Sequence, residues 1–336
     1  MIDYILLLSI LASFFVVLYI LPLWIKKAKQ TGLVWEDMNK ISSPQVAGSG
    51  GIGVVLGFVI GVLIFVAYRV FYLKSLDFLV EIFSLLSCVL LLSGIGLIDD
   101  LFGWRKGGLS IGSRLILVLF ASIPLIVINA GKSVMSLPFL GTIDFGLVYP
   151  LVLIPIGIVG ATTTFNFLAG YNGLEAGQGI ILLSSLALVS FFTGNPWLSI
   201  ILLCMVAALF AFLLFNFYPA QVFPGDSLTY AVGGMVAISA ILGNFEKIAV
   251  FFFIPYIIET VLKLRGNLKK HSFGKPSSDG SLDLKYNKIY GLEHASIWFL
   301  KKLNIKSTEK RVTYSIWLLQ ILIIAISLVI FRQGIF

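Results

Sequence analysis

Charge is what this 336-residue chain has least of: 12% of its residues are Asp, Glu, Lys or Arg, while 59% are hydrophobic. With a mean hydropathy of +1.02 it is too apolar for a soluble domain and reads as a polytopic membrane protein. Cysteine is nearly absent as well. Cys88 and Cys204 both lie inside apolar runs and form no CxxC or Cys/His set. A disulfide framework and a structural zinc site are thereby excluded, and both cysteines read as small helix-packing or lipid-facing residues. The two histidines, His271 and His294, read as polar surface residues rather than metal ligands. The N-terminus lacks the basic stretch of a cleaved signal, and its apolar run is long enough to span a bilayer. No internal repeat stands out.

What the chain has in abundance is hydrocarbon. Runs of about 17–25 apolar residues mark membrane spans. Ten occur, at roughly 4–25, 50–68, 78–98, 112–131, 147–165, 175–193, 197–217, 227–243, 248–264 and 312–332. The expected fold class is an all-α integral membrane protein of about ten transmembrane helices. Residues 1–336 are expected to form a single polytopic domain whose cytoplasmic loops build the active site. Basic residues set the orientation. With the loop after the first run in the cytoplasm, that face holds Lys26, Lys27, Lys29, Lys40, Arg105, Lys106, Arg114 and the twelve from Lys263 to Arg311. The other face keeps Arg69, Lys74, Lys132, Lys247 and Arg332. Both termini then face outward. On the outer side, 132–146 alternates apolar residues around a glycine and predicts a short hairpin. The one long polar segment, 265–311, is expected as a basic cytoplasmic loop between the last two helices, folded or mobile rather than a separate domain.

The third run ends as GIGLIDDLF, on two adjacent carboxylates. One Asp at the bilayer centre costs on the order of 3 kcal/mol, so such a pair belongs at the membrane edge or beside positive charge. The topology gathers other polar residues on the same face. Asn166 ends the fifth span within TTTFNFLAGYNGLEAGQ, Asp226 follows the seventh within FNFYPAQVFPGDSLTY, and the basic segment follows the ninth. Carboxylate and amide oxygens suit magnesium, with manganese as a substitute. Lys and Arg hold phosphate oxygens. The glycine-rich loop 170–179 lets backbone N–H groups approach an anion where the sixth span starts. Together these parts describe magnesium-assisted phosphoryl transfer at a membrane surface. Each part alone has a plainer reading. The Asp pair reads as solvated interface, Asn166 as a helix end, Glu175 as a charge complementing the helix dipole, the glycines as close packing, and the basic run as attraction to anionic lipid.

The blocks IDDLFGW, NFLAGYNGLEAGQ and FPGDSLTYAVGG, in this order, resemble the polyprenyl-phosphate N-acetylhexosamine-1-phosphate transferase superfamily, glycosyltransferase family 4. NGLEAGQ and the segment WEDMNKISSPQVAGSGG resemble its archaeal and eukaryotic branch, the UDP-GlcNAc:dolichyl-phosphate GlcNAc-1-phosphate transferases. The resemblance covers nearly the whole chain. It implies that a UDP-N-acetylhexosamine gives its sugar-1-phosphate to a polyprenyl or dolichyl phosphate, releasing UMP, with magnesium as cofactor. Asn166 and Asp226 match the family's magnesium ligands. Asp99 and Asp100 match its paired catalytic aspartates, expected here to position metal-bound water and cations.

Asn172 and Phe223 match uracil-contacting positions, and Arg114 aligns with a pyrophosphate-binding lysine. Lys40 and Glu175 join them as candidate substrate-binding residues. Where relatives carry an Arg-His-Arg cluster after the ninth span, this chain has LKKHSFGKPSSDGSL. Lys270, His271 and Lys275 are the nearest chemical equivalents there. GlcNAc is the expected sugar, with another N-acetylated hexosamine open. The expected setting is a plasma membrane with lipid as a partner, a homodimer left open, and no nucleic acid. The rival function is transport of a nucleotide sugar or lipid-linked sugar. Transporters place ionisable groups near the midplane of repeated halves, whereas these polar signals fall at span ends.

Overall fold

The computed structural model describes residues 4–137 and 141–335. In chain order, α1 (Tyr4–Thr31) leads through a hairpin of β1 (Val34–Glu36) and β2 (Gln45–Ala47) to α2 (Gly51–Ala67), which ends in a π-helical turn at Tyr68–Tyr72. Then come α3 (Leu79–Lys106), α4 (Ile111–Ala121) and α5 (Ile123–Val127), followed by the β3 (Val134–Leu137) and β4 (Gly141–Asp144) hairpin. A second π-helical turn, Tyr149–Leu153, runs into α6 (Ile154–Phe165), and α7 (Leu174–Phe192), α8 (Pro196–Asn216) and α9 (Asp226–Gly243) complete the central bundle. The last part holds α10 (Glu246–Phe252), α11 (Ile254–Arg265), β5 (Lys275–Pro276), β6 (Leu282–Asp283), α12 (Leu292–Lys302), α13 (Glu309–Ile330) and α14 (Arg332–Ile335).

Seven of the described helices are long and apolar enough to cross a membrane, and Ile111–Val127 and Tyr149–Phe165 are shorter apolar stretches. All ten expected spans fall on helix. Two of them are broken: the fourth bends at Ser122, ahead of Pro124, and the ninth at Phe253, ahead of Pro255. Proline supplies the reason, because its ring removes a donor and crowds the preceding turn. The outer hairpin is present with Val134 paired to Asp144, and residues 138–140 of the expected segment lie outside the described residues.

The centre of the bundle is α9, whose residues Ser227 to Gly243 are all buried. It packs against α3, α6, α2 and α7. The periphery is apolar and exposed, as at Leu7, Phe15, Leu318 and Val329, which is the surface a helix presents to lipid. Segment 265–311 is folded. It contains β5, β6 and α12, and buries Leu282, Leu292, Ile297 and Leu300. Those four residues are too few and too interrupted by charge to register as a span, but sufficient to dock the segment on the bundle.

Two loops at one end are sewn together by backbone. Phe223 N donates to Ala47 O at 2.7 Å, Gly50 N to Phe223 O at 2.9 Å and Gly51 N to Pro224 O at 2.9 Å. The chain after β2 therefore fixes the chain that leads into α9.

Candidate active site

GIGLIDDLF forms part of the C-terminal half of α3, and its residues explain one another. At Gly96, α3 crosses the first residues of α9 so closely that a Cβ would lie 2.3 Å from Asp226 O and 2.6 Å from Ser227 N. One turn later Asp100 turns back onto the same helix start. Its Oδ1 accepts from Asp226 N at 2.8 Å and its Oδ2 from Ser227 N at 3.4 Å. A carboxylate on these free N–H groups satisfies them and complements the positive end of the helix dipole. Gly225 makes room for it. With φ +71° and a would-be Cβ 2.2 Å from Asp100 Oδ2, this position excludes a side chain both by conformation and by space.

Asp99 points elsewhere. Arg114 Nε lies 2.7 Å from its Oδ2, and Leu109 N donates to its Oδ1 at 2.6 Å. Arg114 is held on α4, whose first turn is capped by Ser110 accepting from Ser113 N. The Asp226 carboxyl faces both aspartates and feels the Arg114 charge. Opposite stands Asn166, closing α6, whose Oδ1 accepts from Thr229 Oγ1 at 3.0 Å. Glu175, in the first turn of α7, accepts from Gly170 N at 2.8 Å and so folds the glycine-rich loop.

These groups border a cavity of about 760 Å³. Of the residues expected from sequence, the structure brings Asp100, Asn166, Glu175, Phe223, Asp226 and His271 to its lining. Asp99 and Arg114 stand beside it through Asp226. Four others are held away. Asn172 is buried with its amide fully engaged: Nδ2 donates to Glu309 at 2.7 Å and Asp37 at 3.1 Å, while Oδ1 accepts from Ala220 N and Lys40. Lys40 pairs with Asp37 and Glu309 and borders a separate surface cavity. Lys270 Nζ sits 5.0 Å from the centre of the Tyr286 ring, and Lys275 is exposed on β5.

Thr229, Phe273 and Lys285 are among the lining residues that escaped the sequence reading. Thr229 had a usable signal, one helical turn from Asp226. Phe273 and Lys285 had none, lying in a polar segment without periodicity. Lys285 matters for the balance of charge. The lining carries Glu36, Asp37, Asp100, Glu175 and Asp226, and against them Lys285 and His271. Glu175 Oε2 and Asn216 Oδ1 are buried there without a hydrogen-bond partner among the described residues. A cavity whose acidic residues outnumber its basic ones suits a cation accompanied by an anionic ligand. No group of three or more His, Cys, Asp or Glu side chains is arranged to hold a metal among the described residues. One carboxylate and one amide oxygen, Asp226 and Asn166, nevertheless fit magnesium, which keeps water and ligand oxygens in its other positions.

Comparison with known proteins decides the family. Residues 82–244 match the glycosyl transferase family 4 description. A Saccharolobus solfataricus protein provisionally named as a UDP-N-acetylglucosamine–dolichyl-phosphate N-acetylglucosaminephosphotransferase is 40% identical over 281 residues, 82% of this chain and 83% of its own. The chain belongs to glycosyl transferase family 4. The Dictyostelium discoideum UDP-N-acetylglucosamine–dolichyl-phosphate N-acetylglucosaminephosphotransferase is 31% identical, covering 68% of this chain and 64% of its own. A phospho-N-acetylmuramoyl-pentapeptide-transferase from Halalkalibacterium halodurans is 30% identical, covering 78% and 82%. The stretch matched to the family runs from α3 through α9. It holds the Asp pair, Arg114, Asn166 and Asp226, and stops short of 265–311, where His271, Phe273 and Lys285 lie.

Proposed function

We propose that this protein transfers GlcNAc-1-phosphate from UDP-GlcNAc to a dolichyl-type polyprenyl phosphate, releasing UMP and leaving a lipid-linked sugar pyrophosphate. One observation carries the reading. In a membrane bundle of this family, Asp100, Asn166, Asp226 and Phe223 converge on one cavity at a helix end. The relatives' names supply the sugar and the acceptor. The excess of basic residues on that end of the bundle argues for a cytoplasmic site, and the resemblance to the archaeal branch for a plasma membrane. Clustering of carboxylates at helix ends, rather than along a path through the bundle, does not suit a transporter.

Asn166 and Asp226 would hold magnesium, which supplies charge neutralisation at the donor diphosphate. The rest falls to the chain's own residues. Asp100 fixes the start of α9 and so the place of Asp226. Arg114 and Lys285 offer cations to phosphate oxygens, and the Phe223 ring offers a stacking face for the base. The acceptor phosphate is already mostly ionised near neutral pH, so no obligatory general base is needed. Attack of its oxygen on the sugar-bound phosphorus breaks the bond to the UMP phosphate, and UMP departs as the leaving group.

The test is UMP release by purified protein given UDP-GlcNAc, magnesium and dolichyl phosphate. Turnover is expected, EDTA is expected to stop it, and magnesium or manganese to restore it. Asp226→Ala and Asn166→Ala are each expected to lose at least ~100-fold in rate while remaining folded. No UMP with any sugar or acceptor overturns the reaction, and near-normal rates in both variants overturn the metal assignment.

A further inference from the structure

Behind the cavity wall lies a cluster that lines no part of the cavity itself. Glu259 on α11 and Glu293 on α12 are both fully buried. Their carboxyls converge above Gly291, where a Cβ would lie 2.3 Å from Ser272 Oγ, 2.6 Å from Glu293 Oε2 and 2.9 Å from Glu259 Oε1. One cation reaches this space. Lys263 Nζ is 3.4 Å from Glu259 Oε1 and donates to Ser272 Oγ at 2.5 Å. Glu259 Oε2 also accepts from Leu292 N at 2.6 Å. Glu259 therefore has both a cation and a donor. Neither oxygen of Glu293 has a hydrogen bond of ordinary geometry among the described residues.

Two carboxylates and one ammonium in a water-excluded space are not all charged, because like charges sharing a site force one to keep its proton. Lys263 and the Leu292 N–H reach Glu259 and not Glu293, so the shared proton rests on Glu293. Burial, and then the Glu259 charge, push the Glu293 carboxyl well above the usual carboxylate range.

The cluster's hold on Ser272 reaches the cavity. Tyr171 Oη donates to Ser272 O at 3.2 Å, His294 Nε2 lies 3.4 Å from Phe273 O, and Gly274 N donates to Asn39 Oδ1 at 3.2 Å. The strap so fixed carries His271 and Phe273 into the cavity lining. Phe273 closes over Gly170, where a Cβ would meet its ring at 2.6 Å.

We propose that Glu259, Lys263 and Glu293 are positioning residues for the transfer, a clamp that grips Ser272 and sets the wall formed by His271 and Phe273. The proposal rests on the reading of the cavity as the nucleotide-sugar site. Glu293 serves in its neutral form, as filler and proton holder beside the charged Glu259–Lys263 pair.

Ser272→Ala removes a single hydroxyl, and Lys263→Met removes the cation. Both are expected to raise the KM for UDP-GlcNAc about tenfold, leaving the KM for polyprenyl phosphate within about twofold. Hydrogen–deuterium exchange over 268–276 is expected to speed up in both. Glu293→Gln, a neutral isostere, is expected to keep wild-type KM and exchange. Wild-type exchange and KM in Ser272→Ala overturn the clamp, as does an equal loss for both substrates. A Glu293→Gln variant as impaired as Lys263→Met overturns the neutral acid. Exchange is read on the full-length protein without turnover, so a wild type that releases no UMP sinks the functional reading while the exchange comparison still decides the clamp.

Discussion

Asp99 and Asp100 are neighbours in sequence and diverge in space. Asp99 answers Arg114, while Asp100 caps α9 and with it the position of Asp226. Asp100→Ala thus removes a cap worth about 1–2 kcal/mol and frees the end of α9 that carries Asp226. It is expected to lower the melting temperature and to cut turnover ~100-fold; a variant that melts like wild type removes the capping role. Side-chain chemistry at the Asp pair, Asn166 and Asp226 was readable because carboxylates and amides at span ends are rare in so apolar a chain. The engagement of Asn172 was not, since its four partners come from Asp37, Lys40, Ala220 and Glu309, distant in sequence. Lys285 was hidden for another reason: one lysine among the twelve basic residues from Lys263 to Arg311 has no distinguishing position.

At the scale of elements, the site depends on how closely α3 approaches α9, and two glycines in one motif separate this from general flexibility. Gly94 has nothing within 4 Å of a would-be Cβ, while at Gly96 the nearest backbone atom of Asp226 is 2.3 Å away. Gly94→Ala is expected to stay within about twofold of wild-type activity and to gain slightly in helix propensity. Gly96→Ala is expected to push the helices apart, losing more than ~10-fold in turnover along with melting temperature. Equal behaviour of the two variants would falsify the crossing as the determinant. The helices themselves were legible from hydrophobic run length. Their breaks at Ser122 and Phe253 were not expected from run length, although Pro124 and Pro255 account for them, and α12 needed tertiary context, because LEHASIWFLKK is too polar to announce a buried face.

For the whole molecule, run length was enough to give the bundle, whereas it left open whether 265–311 is folded or mobile; the segment docks on the bundle. That docking has a consequence for stability against pH. His294 was expected at the surface, yet it is buried on α12, its Nδ1 accepting from Tyr290 N at 3.4 Å and its Nε2 facing Phe273 O at 3.4 Å. A neutral imidazole with its proton on Nε2 satisfies both contacts. Burial above all, then the Lys263 and Lys285 charges, depress its pKa below the ordinary 6.5. The unfolded chain therefore takes up this proton first as pH falls. The stabilisation is complete above about 6.5 and is lost as pH drops below it, with a slope of at most about 1.4 kcal/mol per pH unit from one group. Thermal melting from pH 7.5 to 5 in one detergent is expected to fall for the wild type and to fall less steeply for His294→Asn, which accepts from Tyr290 N but does not titrate. Parallel curves would mean that His294 contributes none of the acid sensitivity.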